Sequence, residues 1–203
     1  MTEKGRARRA TMIAATVVLC ACIPAASDAQ DRIEPADSLL QIQSISPRSG
    51  PVGTEVEVYT DNMPLEARFH IGVGATRSGF ESLYEADQVA LGEITVTLPI
   101  PEAVSSERPV VFVAFNAVFS PIAMSRPFHV TDEQGRMYRT GEVGSVDGSC
   151  VTFQDADGYA YELVGRTDAL APGDSVVLEA EYVGESDCVD GAEIRVVEVR
   201  PKG

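Results

Sequence analysis

Apolar residues in the middle of this chain recur at every second position. Val56 and Val58 alternate with Glu55 and Glu57, and Ile94, Val96 and Leu98 alternate with Thr95 and Thr97. That is the period of a strand with one face buried and one face wet. Val110-Val111-Phe112-Val113-Ala114-Phe115 is a continuous run of β formers, too short and too β-branched for a helix, and predicts a central strand covered on both sides. Pro127-Phe128-His129-Val130 predicts the closing strand, and the polar Asp132-Glu133-Gln134-Gly135 the end of the unit. A first domain is therefore expected over residues 42–131, with 132–140 as a linker.

A second set of strands follows, and its turns are explicit. Asp147-Gly148, Asp157-Gly158 and Pro172-Gly173-Asp174 each separate apolar-alternating runs. Five strands are predicted: Gly141–Val146, Cys150–Gln154, Ala160–Gly165, Ser175–Val183 and Ala192–Arg200. So many short strands within residues 141–203 fit a small five-stranded barrel of the OB type. A domain of that size buries a limited core and gains from a covalent staple.

The N-terminal residues read as an export leader. Lys4, Arg6, Arg8 and Arg9 precede an apolar run from Ala10 to Cys22, and Ser27-Asp28-Ala29 precede Gln30, so residues 1–29 form a signal peptide and 30–41 a polar tether. The run of about 13 apolar residues is shorter than the roughly 20 that span a membrane. Two exits stay open: conventional cleavage before Gln30, or lipidation at Cys22, since Leu19-Cys20-Ala21-Cys22 is similar to a bacterial lipobox apart from the cysteine at Cys20. Either places the protein outside the cytoplasm, as a periplasmic, secreted or lipid-anchored species. With the leader gone, Cys150 and Cys188 remain, an even count that predicts a disulfide worth about 4 kcal/mol by loop closure.

Charge excludes whole classes of partner. Removing residues 1–29 takes away four basic and two acidic residues and leaves 12 Lys and Arg against 29 Asp and Glu, a formal charge of −17. The C-terminal residues 141–203 alone carry 14 acids against four Lys and Arg, a formal charge of −10. Such surfaces repel nucleic acid and anionic headgroups, so no nucleic-acid partner is expected and membrane contact only through a lipid on Cys22.

The stretch Ile45-Ser46-Pro47-Arg48-Ser49-Gly50-Pro51-Val52-Gly53-Thr54-Glu55-Val56-Glu57-Val58 resembles the opening of an IPT/TIG domain. Phe69-His70-Ile71-Gly72, Ile94-Thr95-Val96-Thr97-Leu98-Pro99 and the final Phe128 extend the likeness over residues 42–131. It implies an all-β chain: an immunoglobulin-like β-sandwich followed by the OB-like barrel. Asp61-Asn62-Met63 and an acidic insertion around Phe80 to Ala90 depart from the family pattern. The C-terminal arrangement resembles small secreted bacterial domains, a likeness that carries no activity. IPT/TIG domains bind and space, so the resemblance implies a non-catalytic envelope protein engaging a protein partner through a sheet edge or the loops at one end of the sandwich. The second expectation is a glycan-binding or enzyme-accessory protein.

Candidate chemistry is sparse. Gly72-Val73-Gly74-Ala75-Thr76-Arg77-Ser78-Gly79 has Arg77 where a dinucleotide loop needs its third glycine, and no Gly-Lys-Ser/Thr follows, so it reads as a strand running into a turn. Asp155-Ala156-Asp157-Gly158 lacks the further spaced acids of a calcium loop and reads as a hairpin. His70 and His129, the two imidazoles of the chain, fall in predicted strands, and no Gly-x-Ser-x-Gly elbow is present. No catalytic set, metal set or cofactor is expected. Tyr159, Tyr161 and Tyr182 are the candidate ligand-stacking residues, set against packing in the barrel.

Overall fold

The computed structural model describes residues 39–64, 68–76, 78–86, 92–147 and 150–202, with the side chains of 146 and 147 left aside. The expected leader, the lipidation candidate Cys22 and most of the tether lie outside the described residues. Every described element is a strand. In chain order they are β1 (Leu40–Gln41), β2 (Ser44–Ser46), β3 (Ser49–Gly50), β4 (Glu55–Thr60), β5 (Phe69–Gly74), β6 (Glu81–Ala86), β7 (Ile94–Pro99) and β8 (Val111–Asn116). Then follow β9 (Pro121–Met124), β10 (His129–Val130), β11 (Arg136–Asp147), β12 (Cys150–Asp155), β13 (Ala160–Gly165), β14 (Ser175–Glu185) and β15 (Ala192–Pro201).

The N-terminal half holds two sheets over one core. One has the order β1-β9-β8-β5-β6, the other β2-β4-β7, and a short parallel pair joins β10 to β3. The alternation read from the sequence sets the register: Val56 faces Leu98 and Val58 faces Val96 across β4 and β7, while Glu55, Glu57, Thr95 and Thr97 stay exposed. Phe112 on the central β8 is wholly buried among Val56, Val58, Phe69, Ile71 and Phe128, and a side chain of that size contributes about 2 to 3 kcal/mol by leaving water. Gly74 ends β5 where a Cβ would collide with the carbonyl oxygen of Gly79. Close backbone approach accounts for that glycine.

The stretch from Phe80 that read as an acidic insertion contains β6, which pairs antiparallel with β5 at the sheet edge. Leu83 and Tyr84 pack half-buried against the core, and the acids Glu81 and Glu85 face water. Charge on an edge strand is a recognised guard against further strand pairing, and it is what disguised this strand as an insertion.

The C-terminal half is a closed barrel of order β11-β12-β13-β15-β14. Its pairs are antiparallel except β13 with β15, which is parallel. The predicted strands are all present, four of them ending one or two residues later than expected, and one start is displaced further: β11 begins at Arg136, inside the stretch read as linker. Met137, Arg139 and Val143 are all buried, so the inward alternation starts earlier than the apolar residues alone reveal, because one inward position holds an arginine. Gly141 pairs both with Asp155 of β12 and with Val176 of β14. A Cβ there would strike the carbonyl of Gln154, so the strand turns this barrel corner on a glycine. Cys150 opens β12 and is bonded to Cys188 in the loop before β15, with Cα atoms 6.2 Å apart and a sequence separation of 38.

Candidate functional site

Both halves belong to one compact unit, Pro35–Gly203, and the chemistry of the molecule gathers along their seam. β10 delivers His129 from the N-terminal half, and β13 and β14 deliver Tyr161 and Tyr182 from the barrel. The His129 ring stacks on Tyr182 at 5.0 Å and meets the edge of Tyr161 at 5.7 Å. It is 2% exposed, and its Nδ1 has no hydrogen-bond partner. Burial, reinforced by the positive charges of Arg139 and Arg48, lowers its pKa well below the ordinary 6.5.

Behind it runs a buried polar chain. Arg139, 1% exposed, donates from Nε to the Tyr161 hydroxyl at 3.2 Å and from Nη1 to the carbonyls of Ser106 and Tyr138, each at 2.7 Å. Its Nη2 is unpaired. The Tyr161 hydroxyl donates onward to Asp155 Oδ2 at 3.1 Å, and Asp155 Oδ1 accepts the backbone N–H groups of Asp157 and Tyr159. Burial raises the pKa of both Asp155 and Tyr161, against the lowering pull of Arg139 on each. The Asp155–Gly158 segment is the hairpin its sequence predicted, closed by Gly158 N–H donating to the Asp155 carbonyl at 3.0 Å. Its two carboxylates take different partners, since Asp157 receives a two-pronged contact from Arg108 at 2.6 and 2.8 Å.

A cavity of about 210 Å³ opens in this seam, lined among others by Arg48, Arg126, His129, Tyr159, Tyr161 and Glu185. At its mouth, Arg48 Nη1 holds Glu185 Oε1 and Arg126 Nη1 holds Glu185 Oε2 at 3.0 Å, while Arg126 Nη2 lies 3.3 Å from Asp190. Asp155 lines a second seam cavity of about 360 Å³ beside Arg108 and Tyr138. The Tyr161–Asp155 hydrogen bond therefore links the walls of the two cavities.

The structure brings Tyr161 and Tyr182 onto the His129 ring and Tyr159 to the same cavity, but not as open stacking faces. Tyr161 is fully buried, Tyr182 is covered by the imidazole, and the half-buried Tyr159 hydrogen-bonds through its hydroxyl to Thr76 Oγ1. What sequence reasoning missed is the basic side of the seam: Arg48, Arg108, Arg126 and Arg139. The signal available was Arg139 at an inward position between Met137 and Gly141. The sulfurs of Cys150 and Cys188 lie within reach of the Glu162 carboxylate, a grouping of metal-ligand type, but here they are bonded to each other, and Glu162 accepts from Ser186 Oγ at 2.7 Å.

A second feature stands apart from the seam. At the tip of the β8–β9 hairpin Phe119 holds a left-handed backbone, φ 59°, with 62% of its surface exposed beside Val118 at 77%. The Asn116 side chain accepts the N–H groups of Val118 and Ser120 at 3.1 and 2.9 Å, and His70 stacks on the Phe119 ring at 4.4 Å. The tip is thus braced from both ends. The chain matches no protein-family model, no curated protein and no solved structure.

Proposed function

We propose that this is a non-catalytic binding or adapter protein of the cell envelope, an IPT/TIG-like immunoglobulin sandwich carrying an OB-like barrel, which engages another protein through the β8–β9 tip. The Ser46-Pro47-Arg48-Ser49-Gly50-Pro51 motif runs from the end of β2 through β3 into the turn before β4, which supports the family likeness, and the five-stranded barrel supports the second assignment. The Cys150–Cys188 disulfide fits an oxidising compartment.

The observation that carries the reading is Phe119. A bulky residue at positive φ costs on the order of 1 kcal/mol or more, and here the strain exposes two large apolar side chains instead of burying them. Braced, strained and apolar surface is what a docking anchor needs. The partner is a protein with an apolar pocket and a basic rim, matched to the acidic excess of this chain.

A photo-reactive phenylalanine analogue in place of Phe119, in chain expressed in its native envelope, is expected to give one protein adduct. Excess wild-type chain competes for it, and the double variant Val118→Ser/Phe119→Ser does not. The same probe in place of Val183, an exposed apolar residue of the barrel, is expected to give none. Equal labelling from both positions, or none from the tip, overturns the reading.

A further inference from the structure

The inner end of the smaller seam cavity is short of negative charge. His129 lines it, and its Nδ1 is buried without a hydrogen-bond partner, although some 90% of buried polar groups in folded proteins find one. Behind Tyr161, the buried guanidinium of Arg139 has an unpaired Nη2. At the mouth, two guanidiniums already hold one carboxylate oxygen each, both from Glu185. Glu185 closes β14 with 48% of its side chain exposed. Ion pairs this wet are screened and contribute little, so its carboxylate can turn into water at little cost.

We propose that this cavity is a binding site for a small organic carboxylate, which takes the place of Glu185 between Arg48 and Arg126 and extends inward to accept a hydrogen bond from the His129 imidazole as the ring turns to uncover Nδ1. Charge selects a monoanion: Arg48 and Arg126 face Glu185 and Asp190, and exchanging one carboxylate for another keeps that balance. Guanidinium forks match planar carboxylates. Size selects a single ring, because an apolar cavity of about 150 Å³ admits benzene and this one is about 210 Å³. An anion beside His129 offsets the positive field of Arg139 and Arg48, so binding raises the affinity of the imidazole for a proton.

The test uses the full chain, disulfide intact, with two matched pairs: galacturonate against galactose, and benzoate against benzyl alcohol. Calorimetry and the ring resonances of His129 are the readouts. The acids are expected to bind saturably and shift the His129 ring, and the neutral partners to do neither. Glu185→Gln removes the internal competitor and should tighten the acids about tenfold, whereas His129→Phe, which keeps the stack on Tyr182, should weaken them about tenfold. Binding of galacturonate alone marks a sugar acid as the source, and of benzoate alone an aromatic acid. Phe119→Ser is expected to leave both titrations unchanged, which separates this site from docking at the tip. An unmoved His129 ring with both acids, in wild type and Glu185→Gln, means the cavity holds water only and overturns the proposal, as does equal binding of the neutral partners.

Discussion

The two halves of the molecule bury different things. The N-terminal half has open sheet edges and a core of aliphatic and aromatic side chains centred on Phe112. The barrel has no open edge, yet Arg139, Asp155 and the Tyr161 hydroxyl are buried in it. An apolar core tolerates repacking when volume and pattern are kept, whereas a buried polar network must be satisfied atom by atom. The barrel network draws on the other half and is still one partner short: the Ser106 carbonyl of the N-terminal half accepts both Arg139 Nη1 and the backbone N–H of Tyr138, while Arg139 Nη2 stays unpaired. The N-terminal core is an apolar cluster of its own sheets, while the barrel's buried arginine takes a hydrogen-bond partner from the other half.

The strongest way to break that contrast is to remove the barrel's staple. Cys150→Ser should cost about 4 kcal/mol, the loop-closure value for its 38-residue separation. Amide exchange is the measurement. Protection of β12, β13 and β15 is expected to fall by roughly a thousandfold, while β5 and β8 keep theirs. Equal losses in both halves would mean that the seam makes them one cooperative unit and that the contrast has no thermodynamic content.

Legibility follows the same division. Barrel strands were readable because Asp157-Gly158 and Pro172-Gly173 set Gly158 and Gly173 at positive φ, where the chain must turn. β4, β7 and β8 were readable because their apolar residues alternate or run on without interruption. β6 was not, since its acids face water at an edge, and the first five residues of β11 were not, since Arg139 occupies an inward position. The seam was legible only in part. Tyr159, Tyr161 and Tyr182 stood out as aromatics, but nothing local shows that Arg48, Arg126 and His129, up to 81 positions apart in number, meet Glu185 at one cavity. Contacts of that kind belong to the docking of two units, and a period read along one strand carries no trace of them.

Titration sharpens the comparison on a smaller scale. His129 is faced by the rings of Tyr161 and Tyr182 and by the charges of Arg139 and Arg48, and its folded pKa lies well below the 6.5 of the unfolded chain. The unfolded chain therefore takes up a proton that the folded one refuses, so this contribution is full above 6.5 and is lost as pH falls toward the folded value. Asp155 acts in the opposite sense. Its raised carboxyl favours the folded state at low pH, and that contribution is lost as pH rises through the folded value. Between about pH 6.5 and 5.5 the His129 effect should remove about 1 kcal/mol, read by urea unfolding, and His129→Phe should abolish the loss. A slope unchanged in the variant would assign the acid sensitivity elsewhere.

The smallest expected effect isolates the seam from both cores. Arg108 binds Asp157 with two prongs and donates from Nη2 to the Thr76 carbonyl at 2.6 Å, so one side chain ties the barrel hairpin to the N-terminal half. The geometry is good and the hydrogen bond to Asp157 raises the arginine's pKa, but 42% of its side chain meets solvent, and screening holds such a pair to about 0.5 to 1 kcal/mol. Arg108→Ala should therefore lower the unfolding midpoint only slightly. If the barrel depends on docking as its network implies, that small loss appears in β12 and β13 exchange and is absent from β4 and β7. An equal effect on both sheets would show that Arg108 supports the N-terminal half as much as it anchors the barrel.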